Sequence, residues 1–374
     1  MENKKSTSII IFRAVHALVA ICAVLPLAAE IGHYDPSKNA DGVVVGSIAP
    51  AQQGAVSATL MLQVDRVLKG PFQSGQVISI EWSGPPPRRL AGAIWGDHGL
   101  WLLQAGGGGN WRIIAVPFSG RMFSHLCYPV PVSAPTLPAA VVNLSPLDRI
   151  VSELSNAVQT FDPSGDDFFR TSEGLLRLPK TVSSTAAFQQ MSHSPSNEIK
   201  AVGLTGLIFQ GDITALKQIA PNAEALRRTH IRGRMSGAVS MVIDSSPEAV
   251  SALGELATTD SIGPGMQLSA VQALAKIHTK ESLPYLALLL DSQHDSIRNQ
   301  AVNGFSRFAM NLPIETPEGV VSLAWATPQG PAPHRTQETD KHIGSYGTPA
   351  DKQAVNIGFW RSWWAQKKGE LTKP

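Results

Sequence analysis

Two groups of histidine and acidic residues are the best candidates for metal chemistry in this chain. The first group is Asp291, His294 and Asp295, and the second is His334, Glu338, Asp340 and His342. Imidazole and carboxylate groups together can hold a divalent cation. The first group stands at a turn between expected helices, where aspartate stabilises the next helix start, and the second lies in a loop-like stretch. We therefore predict no metal site.

Catalytic motifs of common hydrolases and phosphate-binding enzymes do not occur in the sequence. It has no Gly-x-Ser-x-Gly, His-Glu-x-x-His, Cys-x-x-Cys or Gly-x-x-x-x-Gly-Lys-Ser/Thr. The run Gly106–Gly109 could cradle an anion, but a phosphate loop precedes a helix and Trp111–Ile114 is strand-like. We expect a hairpin tip there, and we predict neither catalytic residues nor a cofactor.

Aromatic and basic residues in the first third of the chain could bind a sugar or a peptide. Four tryptophans occur there, at positions 82, 95, 101 and 111. Aromatic rings on small barrels can stack on ligands. The alternating pattern predicts that Trp101 and Trp111 pack inside, whereas Trp95 and the pair Arg88-Arg89 stand in loop-like sequence. These last three residues are the predicted contact residues of this part.

Short β-branched and aromatic runs, bounded by Gly and Pro, predict strands in the same part of the chain. The runs are 42–45, 58–67, 76–82, 99–104 and 111–116. Five strands without an intervening helical run favour a closed or nearly closed barrel, because closure removes unpaired edges. We assign this domain to residues 33–128.

Three motifs of this domain match a known pattern. They are Ala40-Asp41-Gly42-Val43-Val44-Val45-Gly46, then Val64-Asp65-Arg66-Val67-Leu68-Lys69-Gly70, then Leu100-Trp101-Leu102-Leu103. Their order resembles the oligonucleotide/oligosaccharide-binding (OB) barrels of netrin and tissue-inhibitor-of-metalloproteinase modules. The resemblance implies an OB-like fold. Inhibition in that family depends on a cysteine at the mature N-terminus, which this chain lacks, so inhibitor function is not implied.

Four Ala-Val pairs recur in the second half of the chain. They begin at Ala201, Ala238, Ala270 and Ala301, spaced by 37, 32 and 31 residues. Each pair opens an apolar helical stretch that is followed by a turn and further helical sequence. A unit of this length cannot enclose a core alone, so neighbouring units are expected to stack. Stacking predicts a helical repeat domain at residues 146–310, without strands between 197 and 310.

The segment 266–310 carries the sharpest repeat pattern. Small residues occur at Ala270, Ala273 and Ala301, leucines are dense over 283–290, and Asp295-Ser296-Ile297-Arg298 opens the next unit. This pattern resembles the HEAT-like repeats of the phycobilisome-lyase type. The resemblance implies an α-solenoid, but it does not imply lyase activity, because such arrays also serve as scaffolds.

The remaining segments complete the predicted organisation. We expect a Pro-rich linker at 129–145, a helix starting after Ser145, irregular structure over 161–195 with one short helix near 185–191, and a Pro-rich loop at 311–351. At the end, 352–374 predicts a Trp-rich helix. It can cap the open end of a repeat array or dip into a membrane interface, and we favour the cap.

The N-terminus has the pattern of an export signal. Lys4, Lys5 and Arg13 precede an apolar run, and Leu27-Ala28-Ala29 offers a cleavage site. Cleavage would remove three of 31 basic and one of 29 acidic residues, leaving 28 of each. This balance argues against nucleic-acid binding. We expect a periplasmic or secreted bacterial protein whose single remaining cysteine forms no internal disulfide, and the alternative is membrane anchorage by an uncleaved segment 1–29.

The sequence thus predicts a multidomain α and β protein: an OB-like barrel followed by a HEAT-like solenoid. We expect a binding or scaffold function toward a protein or peptide. Besides the three loop residues of the barrel, the expected contacts are Arg232, Arg234, Lys276 and Arg298. Two alternatives stay open, an envelope enzyme or accessory subunit with a site where the domains meet, and carbohydrate or cell-wall binding by the barrel.

Overall fold

The computed structural model of the chain describes residues 35–48, 59–81, 98–114, 130–132, 143–316, 319–321, 336–342 and 350–372. These residues form two compact units, one built from strands and the other mainly from helices. The signal-like segment 1–29, the loop tryptophan and arginines of the barrel and most of the linker lie outside the described residues, so their predictions stay predictions.

The first unit is a closed five-stranded β-barrel. Its strands are β1 (Gly42–Ile48), β2 (Thr59–Lys69), β3 (Val77–Glu81), β4 (His98–Ala105) and β5 (Trp111–Ile113), preceded by the short helix α1 (Pro36–Asn39). The hydrogen-bonded order is β1-β2-β3-β5-β4, and β4 pairs back with β1. β3 and β5 run parallel, whereas β1–β2, β2–β3 and β4–β5 are antiparallel. The predicted barrel and its five strands are confirmed.

Strand alternation fills the barrel with apolar side chains. The core contains Val44, Leu62, Val64, Phe72, Ile78, Ile80, Trp101 and Leu103. Trp101 is 1% exposed, and its indole N–H donates to the Gly46 carbonyl at 2.9 Å. Trp111 packs on Phe72 with ring centroids 4.6 Å apart. Trp101 therefore takes the interior role predicted from alternation, whereas Trp111 is half-buried and packs against the core.

The glycine run between β4 and β5 is a turn, as predicted. Gly107–Gly109 form a single 3₁₀ turn, and the hairpin closes through a bond from Gly106 N–H to the Asn110 carbonyl. Gly108 and Gly109 have φ values of 70° and 83°, a left-handed conformation that other residues rarely adopt. This geometry accounts for the glycines without an anion.

The second unit contains helices α2 (Pro146–Thr160), α3 (Asp166–Leu176), α4 (Val182–Ser192), α5 (Asn197–Phe209), α6 (Ile213–Lys217), α7 (Ala223–Leu226), α8 (Arg232–Ser240), α9 (Pro247–Thr258), α10 (Pro264–Ile277), α11 (Leu283–Leu289), α12 (Asp295–Ala309), α13 (Gln337–Asp340) and α14 (Ala350–Leu371). A two-residue strand β6 (Val130–Pro131) pairs with residues 99–100 of β4, which belong to this second unit, and a hairpin of β7 (Ile314–Thr316) and β8 (Gly319–Val321) follows α12. Ser145 caps α2 as predicted, by accepting from the Asp148 N–H.

The short helix predicted near 185–191 is confirmed as α4, whereas the irregular structure predicted for the rest of 161–195 is wrong where α3 forms. A capping box between Thr181 and Ser184 starts α4. Phe188 and Met191 of α4 are buried, but the residues beside them in the sequence are mostly polar. So few apolar residues give only a weak helical periodicity, and packing against α5 therefore supplies much of the stability of α4.

The helices of the second unit lie in two rows. The first row is α3, α5, α8, α10 and α12, in which each helix contacts the next. Beside it lie α2 with α4, and then α6, α9, α11 and α14 in contact order. Contacts between the rows include α2–α3, α4–α5, α9–α10 and α11–α12. Residues 197–310, all of them described, contain no strand, which agrees with the predicted helical domain.

The repeated small residues lie where helices touch. The pairs beginning at Ala201, Ala238, Ala270 and Ala301 fall in α5, α8, α10 and α12, and all eight residues are at most 1% exposed. On α5, a methyl group at Gly206 would come within 2.4 Å of the Phe188 ring of α4. Large side chains at such positions would push the helices apart.

Helix α14 packs against α11 and α12, the last helices that precede it in the two rows. Its residues Ile357, Trp360 and Trp363 are buried, and the Trp360 ring stacks on Phe305 with centroids 5.7 Å apart. The predicted Trp-rich helix is therefore present and packs its aromatic face against these two helices. None of the described helices is both long and apolar enough to cross a membrane.

Candidate partner-binding surface

The contact residues predicted in the helical half all lie in or beside first-row helices. Arg232 and Arg234 belong to α8, Lys276 to α10 and Arg298 to α12. Arg88, Arg89 and Trp95 fall outside the described residues. For the four that are described, the surrounding contacts decide whether each cation is free for a partner.

Arg234 is not free. It forms an ion pair with Glu173 of α3, whose side chain is 4% exposed, while 33% of the Arg234 side chain stays accessible. Burial raises the pKa of Glu173, and the positive charges of Arg234 and Arg177 oppose this rise. Burial also lowers the pKa of Arg177 to about 10, against the attraction of Glu173 and together with repulsion from Arg234. The cluster joins α3 to α8.

Lys276 is also engaged within the fold. Its ammonium donates to the Ser240 carbonyl at 2.7 Å, at the end of α8. Two similar contacts occur: Lys180 donates to the Gln210 carbonyl after α5 at 2.9 Å, and Arg361 donates to the Leu290 carbonyl after α11 at 3.1 Å. Helix C-termini leave carbonyls without intrahelical partners and carry partial negative charge. These cations therefore stabilise the ends of neighbouring helices.

Arg298 lies in a cleft of about 460 Å³ between α12 and α14. Its guanidinium donates to the Ser292 carbonyl at 2.6 Å and forms an ion pair with Asp295. On the other side, Arg361 pairs with Asp291. Each arginine of the cleft thus has its own carboxylate, and the pairs fix the turn before α12 and the approach of α14.

Of the two groups considered for metal binding, the first is explained by the start of α12, and the second is described only in part, because His334 lies outside the described residues. His294 itself occupies the N-cap position of α12, and Asp295 lies in the first turn, where its charge favours the helix start. The ring of His342 stacks on Phe359 with centroids 3.9 Å apart. Among the described residues, no three His, Cys, Asp or Glu side chains converge as a metal site.

Arg232 is the one predicted cation of these four whose residue is exposed. Its guanidinium donates a long hydrogen bond of 3.4 Å to the Arg227 carbonyl. Sequence reasoning placed all four cations on the right helices. It could not tell the exposed arginine from those engaged with carboxylates and carbonyls, because the partners lie up to 61 residues away.

The exposed and half-buried residues along one side of α8, α10 and α12 form what we call the first-row face. Its members are Arg232, Gly233, Ser236, Gly237 and Ser240 of α8, Leu268, Gln272 and Lys276 of α10, and Asn303 and Arg307 of α12. A methyl group at Gly233 or Gly237 would meet no heavy atom within 4 Å. No acidic residue occurs in α8 or α10, and the acid of α12 lies in its first turn. The first-row face therefore carries mostly small or polar residues, and its charged members are all basic.

Sequence reasoning missed two clefts at the ends of first-row helices. One, of about 640 Å³, lies by the start of α5, where Glu198 accepts from the His230 backbone N–H and lies 3.0 Å from its ring nitrogen. The other, of about 300 Å³, lies at the turns that follow α5 and α8. The apolar pair Val242-Ile243 in a turn was the available sequence signal for the second cleft.

Comparison with known proteins adds no assignment. No family model matches the chain, and no curated protein matches it.

Proposed function

We propose that this chain is an exported, non-enzymatic binding protein that offers the first-row face to a protein or peptide partner. The single observation that carries the proposal is that this face, on the neighbouring helices α8, α10 and α12, has no acidic residue beyond the first turn of α12. Hydroxyl, amide and cationic groups there can meet a polar or acidic partner. The two open glycines allow the partner to approach the α8 backbone closely.

The proposal includes a HEAT-like identity for the helical units. Three features support it: paired helices in two rows, a buried Ala-Val pair in each of four successive first-row helices, and a helix that covers the end. Repeat arrays of this kind offer extended binding surfaces. An OB-like identity of the barrel is supported by its five strands and closed ring.

Carbohydrate binding by the barrel receives less support. Trp101 is in the core and Trp111 packs on Phe72, so neither ring is a fully open stacking platform. The remaining candidate ring, Trp95, lies outside the described residues. We therefore keep the helical face as the proposed site.

Crosslinking in the bacterial envelope tests the proposal. A photoreactive amino acid replaces Ser236 on the face in one full-length variant and Leu288, a 65% exposed residue of α11, in the control. We expect an adduct of defined mass from position 236 and none from 288. Adducts from both positions, or from neither, would contradict the proposed face.

A blocking variant gives a second readout. Gly237→Leu adds a side chain into open space on the face, whereas Gly358→Leu makes the same change in open space on α14. Leucine also has a higher helix propensity than glycine, so both variants should fold. Gly237→Leu should abolish the adduct from position 236, and Gly358→Leu should leave it unchanged. An unchanged yield with Gly237→Leu contradicts the role of this face.

The proposal that the protein is exported predicts a mature protein that begins at Glu30. Intact mass measurement checks this start.

A further inference from the structure

A second binding site is indicated at the turns after α5 and α8. We call it the turn cleft, lined by residues 208–213, Leu216 and residues 241–244, with a volume of about 300 Å³. Phe209, Ile213, Val242 and Ile243 are only half-buried, so apolar side chains form an accessible lining. A cavity at the small end of the range for ligand sites suits one bulky apolar side chain.

Two carboxylates border this apolar lining. In Asp212, Oδ1 accepts from the N–H and hydroxyl of Thr214 at 2.8 and 2.6 Å, and in Asp244, Oδ1 accepts from the Ser246 N–H at 2.8 Å. The other oxygen, Oδ2, of each takes no hydrogen bond from the described residues. No lining residue is cationic. The nearby Lys180 ammonium is held by the Gln210 carbonyl at 2.9 Å.

The backbone beside the cleft is also available for binding. Residues 242–245 belong to neither helix nor strand. Among the described residues, neither the N–H nor the carbonyl of Ile243 or Ser245 has a backbone hydrogen-bond partner. Free main-chain groups beside apolar pockets are the arrangement by which proteins bind extended peptides.

We infer that the turn cleft binds a short peptide segment in which a bulky apolar side chain is flanked by lysine or arginine. The apolar side chain enters the cleft, the flanking cations meet Asp212 and Asp244, and the peptide backbone pairs with residues 243–245. The charge of the rim selects the basic segment over an acidic one. This inference rests on the proposed binding function and adds a second contact site with its own partner chemistry.

Three fluorescent octapeptides test the inference on the full-length chain by anisotropy. The first is Gly-Ser-Lys-Leu-Phe-Lys-Ser-Gly, the second has glutamate in place of both lysines, and the third has serine in place of leucine and phenylalanine. We expect the first peptide to bind about tenfold more tightly than either of the others, with an affinity that falls as salt is added. Equal binding of the first and second peptides, or no binding of the first, would overturn the inference.

Two variants connect binding to the cleft. Asp212→Asn combined with Asp244→Asn keeps the Oδ1 acceptors but removes both charges, and should weaken the lysine peptide about tenfold. The matched control combines Asp162→Asn with Asp166→Asn, two exposed positions away from the cleft, and should change nothing. Wild-type affinity in the first double variant refutes the assignment.

A separate pair of variants tests the apolar lining of the turn cleft. Ile243→Ser should weaken the lysine peptide at least as much, whereas Leu288→Ser, on exposed α11 surface, should not. Identical affinities of the lysine peptide for the two variants would contradict peptide binding in the turn cleft. Failure of the proposed function is a separate result, because crosslinking at Ser236 then yields no specific adduct whatever the cleft variants do.

Discussion

The contact between α3 and α8 gives the sharpest prediction, the effect of Arg234→Met. The substitution keeps the apolar stem of the side chain and removes the charge that faces Glu173. Glu173 is 3% exposed, so its carboxylate loses its main partner and cannot recover full hydration. Breaking a fully buried ion pair costs about 3–5 kcal/mol, and we expect about 2–3 kcal/mol here because a third of the Arg234 side chain is exposed.

The loss should depend on pH in a defined direction. Burial already raises the pKa of Glu173, and removing Arg234 raises it further. A carboxyl whose folded pKa lies above its unfolded value favours the folded state once protonated, so stability rises as pH falls through the folded pKa. This gain is complete below the ordinary pKa of 4.5. The deficit of the variant relative to wild type should therefore narrow on acidification.

Urea unfolding between neutral pH and pH 4.5 measures both effects. Arg232→Met is the matched control, since the same change two residues away on exposed surface should cost within about 0.5 kcal/mol. Adding Glu173→Gln to Arg234→Met should restore part of the stability, because position 173 then holds no buried charge. A loss of stability in Arg234→Met equal to that of the control, or a loss that grows on acidification, would refute a structural role for Arg234. Arg234 would then again be a candidate partner-binding residue.

Two further substitutions test packing. Gly206→Ala places a methyl group 2.4 Å from the Phe188 ring and should lower the free energy of unfolding by about 1–3 kcal/mol. The control Gly358→Ala lies in open space and should stabilise the protein slightly. Thermal unfolding compares the two variants, and equal melting temperatures would contradict the contact between Gly206 and Phe188. Trp101→Phe removes the indole N–H that meets the Gly46 carbonyl and should cost about 1–3 kcal/mol in urea unfolding, so a neutral result would contradict that hydrogen bond.

Local patterns in the sequence predicted much of the architecture. A strand alternates its side chains within a few residues, so five short runs sufficed to predict the barrel and the interior place of Trp101. Recurring Ala-Val pairs predicted stacked helical units because close helix contact requires small residues at fixed intervals. The Trp-rich end followed from helical periodicity, since Ile357 and Trp360 share one face.

The candidate sites were harder to predict than the elements. A lysine or arginine on a helix surface looks the same in sequence whether it meets solvent, a carboxylate or the end of another helix. Arg234 and Lys276 have partners 61 and 36 residues away. Helix α3 was missed for a related reason, because its stability depends on neighbours that local composition does not reveal.

By itself, the sequence determined which segments become strands, helices and turns over most of the described chain, because those choices depend on interactions within a few residues. Only the tertiary structure decided which charges are engaged and which surfaces are open. The turn cleft needed both kinds of information: Val242 and Ile243 supply the apolar side chains, but it takes the packing of α5 beside α8 to bring Phe209 and Asp212 next to them.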